Sequence, residues 1–575
     1  MTSSLAAIPP GLILIVGAFL IPLLRGRVRS AYMLALPAIG LAQLLAISSI
    51  YDAQLAEGVI LLRASIFDYE LAIVRVDRLA LVFGYIFHVA AFFSVIYALR
   101  VKGWGEHVAA LVYVGSAIGA VFAGDLITLF VYWEVTAVSS VFLIWASRTE
   151  RSYRAGMRYL VIQVASGVLL LAGAVAYAYE TGSIAFGYIG LGGLGAGLIF
   201  ISFGIKCAFP LLHTWLEDAY PEATVSGAVF LSAFTTKLAV YALARGFAGT
   251  EILIWIGAAM AAFPIFYAVI ENDLRRVLAY SLNNQLGFMV VGIGIGTEMA
   301  LNGTAAHAFA HIIYKGLLFM SMGAVLHRAG TIKGSDLGGL YKSMPLTMVF
   351  CSIGAASISA FPLFSGFVTK SLVMSATAEN HYMWVWLILL FASAGVFHHS
   401  GIKIPYFAFF AHDSGIRCKE APRNMLVAMG CLAFLCLLIG IFPQPLYDIL
   451  PFQVDYQAYT TAHVVNQLQL LLWSALAFAW LNWVGLYPPE LRSTNLDIDW
   501  LYRRLFPSVW DSIMAGGGRA RAVVLGSLQS RITATIQSVH RHHGPKGFLE
   551  RTWPTGSMAL WMAVLLALIL LLYYL

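Results

Sequence analysis

The chain has 575 residues, 60% of them apolar and 11% charged, with a formal net charge of +7 and a mean hydropathy of +0.82. Soluble domains are about one quarter charged, so this composition excludes a water-soluble globule. Its apolar runs are continuous and often near the ~20 residues that cross a bilayer, which excludes the short alternating strands of an outer-membrane barrel.

In chain order, about sixteen apolar segments begin near residues 8, 31, 79, 107, 126, 156, 194, 223, 250, 275, 300, 346, 383, 425, 465 and 557. The pattern predicts an all-α polytopic membrane protein. No basic region precedes the first apolar run, so no cleaved signal peptide is expected. Cys207, Cys351, Cys418, Cys431 and Cys436 show no CxxC spacing and read as packing residues.

Positive charge orders these segments. With an outside N-terminus and one crossing per segment, 26 of the 35 Lys and Arg residues fall in inner loops. Only Arg63, Arg75, Arg78 and Arg245 fall outside. This asymmetry follows the positive-inside rule and puts both termini on the outer side. The basic balance is therefore topology, and no nucleic-acid partner is implied.

Five lysines remain within the membrane segments: Lys206, Lys237, Lys315, Lys370 and Lys403. Each mid-bilayer charge costs about 2.5–3.5 kcal/mol on insertion scales, a burden that a purely structural scaffold has little reason to carry. Glu134, in "FVYWEVTAVSS", lies in the fifth segment, Lys206 in the seventh and Lys237 in the eighth. His307, His311 and Lys315 share the eleventh, and Lys370 lies in the twelfth. Spacing of four residues puts the two histidines and Lys315 on one helix face, roughly 6 Å apart along the axis, a gap that water can bridge. A lysine taken out of water becomes able to release a proton near neutral pH, histidine is poised there already, and a nearby carboxylate holds the proton back. The pattern predicts a proton relay.

Other readings compete at single positions. A zinc pair at His307 and His311 lacks a third ligand and the HExxH glutamate, so no metal is assigned. Lys403 also fits a side chain snorkelling from a helix end. His398–His399 and His542–His543 fit interfacial or solvated positions, and Asp125 fits a polar turn before the fifth segment or a proton-uptake group. Asp125, His213, Asn283, Asn284 and Lys403 are the candidate accessory residues.

Pro210 follows Lys206 by four residues, and Pro362 precedes Lys370 by eight. Proline breaks helices, and interrupted segments in corresponding halves of a transporter point to the ion pathway. Two repeats are expected, over segments four to eight and nine to thirteen, although the halves share little obvious identity.

The stretches "LLHTWLEDAYPEATVSG", "RRVLAYSLNNQLGFM", "HAFAHIIYKGLLFMSMGAVLH" and "FPLFSGFVTKSL" occur in that order. Together they resemble the antiporter-like subunits shared by respiratory complex I and Mrp-type Na+/H+ antiporters, most of all the D-type subunits of Mrp antiporters, over roughly residues 70 to 440. The resemblance implies a fourteen-helix core of two inverted five-helix repeats with helices 7 and 12 broken. It places the family's proton-translocating groups on Glu134, Lys206, Lys237, His307, His311, Lys315 and Lys370. It also implies a domain order. Residues 1–105 hold helices 1–3, 106–248 the first repeat, 249–412 the second and 413–487 helices 14–15. A basic extension on the cytoplasmic side at 488–556 and a last span at 557–575 complete the chain. This chain departs from the family in keeping the proline-rich turn only partly, as "YPEATVSG", and in carrying Asn283–Asn284 where relatives often have small hydroxyl residues.

In the extension, Val523, Leu525, Leu528, Ile532 and Ile536 recur at helical spacing among basic residues. This predicts an amphipathic helix interrupted at Gly516–Gly518 that either lies on lipid headgroups or grips a partner subunit. The leading expectation is the proton-translocating subunit of a multi-subunit Mrp-type antiporter in a bacterial inner membrane, with other membrane subunits as partners. The alternative is the same relay in a complex I-like, hydrogenase-like or inorganic-carbon-uptake complex. No CxxC cluster, strand-linked GxGxxG or flavin fingerprint is present, so the chain is expected to be a transporter subunit rather than an enzyme, with no cofactor. Carboxylates suited to sodium are scarce in the membrane segments, which assigns sodium to a neighbour.

Overall fold

A computed structural model describes residues 8–66, 69–488, 490–491, 495, 497–547 and 549–575. The chain begins with α1 (Leu12–Ala18) and α2 (Gly26–Tyr51), then forms an antiparallel hairpin of β1 (Val59–Ile66) and β2 (Tyr69–Val76). The apolar-segment pattern predicts no strand there. The hairpin is hydrogen-bonded to the chain around residues 122–124: Arg75 N donates to Phe122 O and Gly124 N to Ala72 O, both at 2.8 Å.

The first half continues with α3 (Arg78–Ala98), α4 (Trp104–Val121), α5 (Leu126–Trp145), α6 (Glu150–Thr181), α7 (Gly193–Lys206), α8 (Thr214–Ala219), α9 (Gly227–Ala233) and α10 (Thr235–Gly246). The second half consists of α11 (Ile252–Ile270), α12 (Leu274–Ile295), α13 (Glu298–Ala329), α14 (Pro345–Ile358), α15 (Ser365–Glu379) and α16 (Met383–Val396). After it come α17 (Arg423–Ile441), α18 (Gln444–Tyr447) and α19 (Thr461–Trp483). Among the described residues, eleven helices are long and apolar enough to cross a membrane, and three shorter apolar helices accompany them.

The two halves repeat in local detail. Asp125 caps α5 and Asp273 caps α12, and each forms an isolated β-bridge, to Ala185 and to Lys333. Both α6 and α13 have 32 residues, begin with Glu after a Thr cap, and stop at a left-handed glycine, Gly182 or Gly330. Both α7 and α14 have 14 residues. Each is succeeded by the tetrapeptide Ala-Phe-Pro-Leu, at 208–211 and at 360–363. Its backbone is the same twice: Ala208 and Ala360 have φ of 61° and 56°, and Leu211 and Leu363 have 73° and 75°.

Four non-glycine residues in left-handed conformations cost about 1–2 kcal/mol each, and proline removes a helical donor. The same strained break is thus kept at both places, in segments seven and twelve. These shared residues are short and scattered, which is why the halves look unrelated in sequence.

A third break contains no proline to foretell it. Helices α9 and α10 meet at Phe234 (φ −106°, ψ −62°). The Tyr113 hydroxyl supports this break, accepting from Thr235 N at 2.9 Å and lying 2.7 Å from Thr235 Oγ1. The thirteenth segment also departs from a regular helix, widening after α16 into π-turns at Phe397–Lys403 and Tyr406–Phe410.

Residues Ile498–Leu575 form a separate compact unit containing α20 (Phe506–His543) and α21 (Thr555–Tyr574). The expected amphipathic helix is present, but α20 runs unbroken through Gly516–Gly518. Glycine costs about 1 kcal/mol against alanine inside a helix without forbidding it, and 38 residues of otherwise helical sequence carry the three.

On the expected outer side, Arg245 ties the first repeat to the hairpin. Its Nη2 donates to both Asp77 oxygens, at 2.8 and 2.6 Å, while its Nε donates to Tyr241 Oη at 2.8 Å. Asp77 also caps α3 by accepting from Ala80 N. Replacing Arg245 with alanine leaves a buried carboxylate without its main partner, a loss worth about 3–5 kcal/mol. The thermal midpoint of the purified complex should fall for Arg245→Ala and partly recover when Asp77→Asn is added; an unchanged midpoint contradicts this bond's role.

Candidate functional site

Glu134 projects from α5, whose neighbouring residue Trp133 meets Lys206 at the C-terminal end of α7. Lys206 Nζ donates to Trp133 O at 2.7 Å and sits 4.3 Å from the Trp133 ring centroid. Lys206 is fully buried and within electrostatic range of Glu134. Glu134 Oε1 has no hydrogen-bond partner among the described residues. It fits because α6 has glycine opposite: a Cβ at Gly167 would overlap Glu134 Oε1. The carboxylate thus has one polar neighbour of opposite charge and room beside a helix with no side chain.

Lys237 lies one turn beyond the Phe234 break and uses it. Its Nζ donates to Ser232 O at 2.7 Å and to Thr236 Oγ1 at 3.2 Å. A carbonyl near the end of α9 lacks a helical donor, and the ammonium supplies one.

His307, His311 and Lys315 are fully buried along α13, as the four-residue spacing predicts. His311 lies within electrostatic range of Lys237, Lys315, His307 and Lys370, so these groups come together at one place. His307 Nδ1 meets Thr369 Oγ1 at 3.2 Å, and that hydroxyl donates to Ser365 O at 3.1 Å. Because the hydroxyl's proton is used on the carbonyl, Nδ1 is the donor to Thr369. The Tyr314 hydroxyl stands 3.5 Å from His307 Nε2 and donates to Gln285 Oε1 at 3.2 Å. Both nitrogens of His311 and Nζ of Lys315 have no hydrogen-bond partner among the described residues.

Lys370 extends from α15 back to the twelfth-segment break, donating to Ile358 O at 3.2 Å with its Nζ 5.0 Å from the Phe288 ring. The groups predicted from sequence therefore fall into two sets: Glu134 with Lys206, and Lys237, Lys315, His307 and Lys370 around His311.

The accessory candidates divide. Asp125 lies apart as the cap of α5, its Oδ1 accepting from Thr128 N and its Oδ2 from Thr128 Oγ1, both at 2.7 Å. His213, in the seventh-segment break, pairs through Nε2 with Asp497 Oδ2 at 2.9 Å, away from the line. Asn283 is fully buried, and neither its amide oxygen nor its nitrogen has a partner among the described residues. Asn284 donates to Ala261 O and accepts from Gln285 Nε2.

Lys403 does not snorkel. It is fully buried, donating to Val269 O at 2.6 Å and Glu271 O at 2.7 Å at the end of α11, and pairing with Glu490 Oε1 at 2.9 Å. His399 also corrects the interfacial reading. It is fully buried in the π-turn, 3.0 Å from Ser400 Oγ and within electrostatic range of Lys315 and Lys403. Its four-residue spacing from Lys403 was the available signal, and an adjacent histidine obscured it. Glu217 is a further buried group that sequence reasoning missed; neither carboxylate oxygen has a hydrogen-bond partner among the described residues.

Comparison with known proteins agrees with this fold. The family described as "NADH:quinone oxidoreductase/Mrp antiporter, TM" matches residues 123–396. The N subunit of the NADH-quinone oxidoreductase of Desulforudis audaxviator is 31% identical over 57% of this chain and 72% of the relative. The D-type subunit of the Na+/H+ antiporter of Alkalihalophilus pseudofirmus is 29% identical over 57% and 71%. Hydrogenase-4 component B of Escherichia coli is 27% identical over 65% of this chain and 63% of its own length, so the chain spans less than two thirds of that relative. Among solved structures, a chain of the Mrp complex from Dietzia sp. DQ12-45-1b shares the fold, with a TM-score of 0.68 at 19% identity over 82% of this chain and 99% of that one. The chain belongs to the antiporter-like membrane-subunit family shared by NADH:quinone oxidoreductases and Mrp antiporters.

The Glu134 pocket yields a sharp test. In Gly167→Ala the new methyl group cannot coexist with the carboxylate as placed, so Glu134 must leave its present position beside Lys206. Proton flux in membrane vesicles should fall while the complex still assembles on a native gel. Flux equal to wild type contradicts the pairing.

Proposed function

We propose that this chain is the proton-translocating membrane subunit of a multi-subunit Mrp-type monovalent cation (Na+)/proton antiporter in a bacterial inner membrane, with both termini on the outer side. Residues 106–248 and 249–412 act as two half-channels. The observation that carries the reading is the set of ionisable groups within the membrane segments: Glu134 in electrostatic range of Lys206, and Lys237, Lys315, His307 and Lys370 all in electrostatic range of His311. Charges inside a membrane protein mark ion or proton paths.

In this mechanism a proton reaches Lys206 through the first half. When Glu134 is close, the ammonium form of Lys206 is favoured; when the carboxylate moves away, the proton passes toward Lys237. Lys315 and His311, which have no hydrogen-bond partner among the described residues, carry it across the middle. His307 accepts at Nε2 and hands it toward Lys370, whose release completes the step. The membrane potential contributes about 2.3 kcal/mol per charge per 100 mV. Other membrane subunits supply the sodium path and complete the complex.

A second reading rests on a specific observation: relatives of similar identity include hydrogenase-4 component B and an NADH-quinone oxidoreductase subunit. The relay would then be driven by redox or carbon-uptake chemistry in a partner. Native mass spectrometry of the purified complex separates the two by naming the co-purifying subunits.

For the relay itself, Lys206→Ala and Glu134→Gln should each lower proton flux in vesicles by about tenfold or more, as loss of a positioned proton carrier does. Unchanged flux in both would sink the mechanism.

A further inference from the structure

The π-turn at Phe397–Lys403 holds buried ionisable groups that the relay does not use. Such turns inside helices recur at functional positions. His399 is fully buried there, within electrostatic range of Lys315 from α13, Lys370 from α15, and His398 and Lys403 from its own segment. Its Nδ1 lies 3.0 Å from Ser400 Oγ, and Ser400 Oγ donates to Ser281 Oγ at 2.7 Å. The hydroxyl's proton is used on Ser281, so Nδ1 carries the hydrogen and Nε2 keeps its lone pair. Nε2 has no hydrogen-bond partner among the described residues. An imidazole held in this tautomer can accept a proton at Nε2.

Lys403, four residues on, bears on whether it keeps one. Both Lys403 and the Glu490 carboxylate 2.9 Å from its Nζ are buried, with side chains 0% and 7% exposed. An ammonium near an imidazole opposes its protonation, and a carboxylate that covers the ammonium offsets that opposition. Glu271 also faces Lys403, but its Oε1 accepts from Asn272 N and Asp273 N, both at 3.0 Å, and its Oε2 lies 3.7 Å from Arg276 Nε. The Tyr487 hydroxyl is within range of Glu490. A carboxylate and a buried lysine thus meet in each half, Glu134 with Lys206 and Glu490 with Lys403. His399, Lys403 and Glu490 all lie beyond residues 123–396, which the family matches.

We infer that His399 is a further proton-carrying residue, a side station of Lys315, and that the Lys403–Glu490 pair controls its load. The inference rests on the relay reading above. In the loading step an N–H bond of the Lys315 ammonium breaks and its electron pair stays on nitrogen as the neutral amine. The proton bonds to His399 Nε2, giving imidazolium. That new charge disfavours the ammonium form of Lys370, which releases its proton. When Glu490 moves off, the uncovered Lys403 charge returns the His399 proton to the Lys315 amine, and the relay carries it on to the emptied Lys370.

The test measures proton flux against pH in membrane vesicles carrying the intact complex, with assembly checked on a native gel. His399→Gln should lower flux by about tenfold or more, as loss of a positioned proton carrier does. His399 unloads as pH rises, so its titration sets the alkaline limb of the profile. Glu490→Gln uncovers Lys403 and should move that limb to lower pH, whereas Lys403→Met removes the opposing charge and should move it to higher pH. Both shifts should vanish when His399→Gln is added. An ion pair that only holds the fold would change assembly or amplitude without opposite shifts. Lys315→Ala is measured in parallel: full flux there fails the relay reading and this inference with it. If Lys315→Ala stops flux while His399→Gln keeps it, the relay stands and the side station is wrong. If His399→Gln does not assemble, the two single variants still decide, opposite shifts supporting the inference and a common shift or none overturning it.

Discussion

The interaction on which this structure depends is the bond between a buried ammonium and a main-chain carbonyl. Lys206 is held by Trp133 O, Lys237 by Ser232 O, Lys370 by Ile358 O, and Lys403 by carbonyls at the end of α11. A charge in hydrocarbon is costly, and so is an unpaired carbonyl. Breaking a helix frees carbonyls and points the negative end of its dipole at the break. The breaks after α9 and α14 thus stabilise the lysines beside them, and each lysine makes its break tolerable. Strain at Ala360 and Leu363 is the cost of holding the end of α14 open.

Against that background the middle of the line is different in kind. Lys315 and His311 have no such anchor among the described residues, whereas the groups on either side do. Anchored lysines thus flank two side chains that no hydrogen bond holds among the described residues. The Glu134 carboxylate lies against Gly167, on a helix with no side chain there.

Much of this was legible in the sequence, because membrane physics leaves few choices. Twenty apolar residues make a helix, and an isolated membrane lysine stands out against its surroundings. The four-residue rhythm of His307, His311 and Lys315 predicted their common face correctly. Less was legible where tertiary contacts decide. The Phe234 break has no proline and depends on Tyr113 from another helix. Lys403 also fits a snorkelling side chain until Glu490 and the end of α11 arrive from far away in the chain. His399 looked solvated beside His398 because nothing local shows a π-turn. The repeat was hidden since its two copies share backbone geometry more than residues, with the Ala-Phe-Pro-Leu break as the visible exception.

The most direct measurement is potential-driven proton uptake into proteoliposomes holding the purified complex, comparing wild type with Lys315→Ala. The account predicts that uptake stops in the variant while the complex remains assembled, because the relay has no substitute for Lys315. Uptake at the wild-type rate would show that protons do not pass through the line of buried groups.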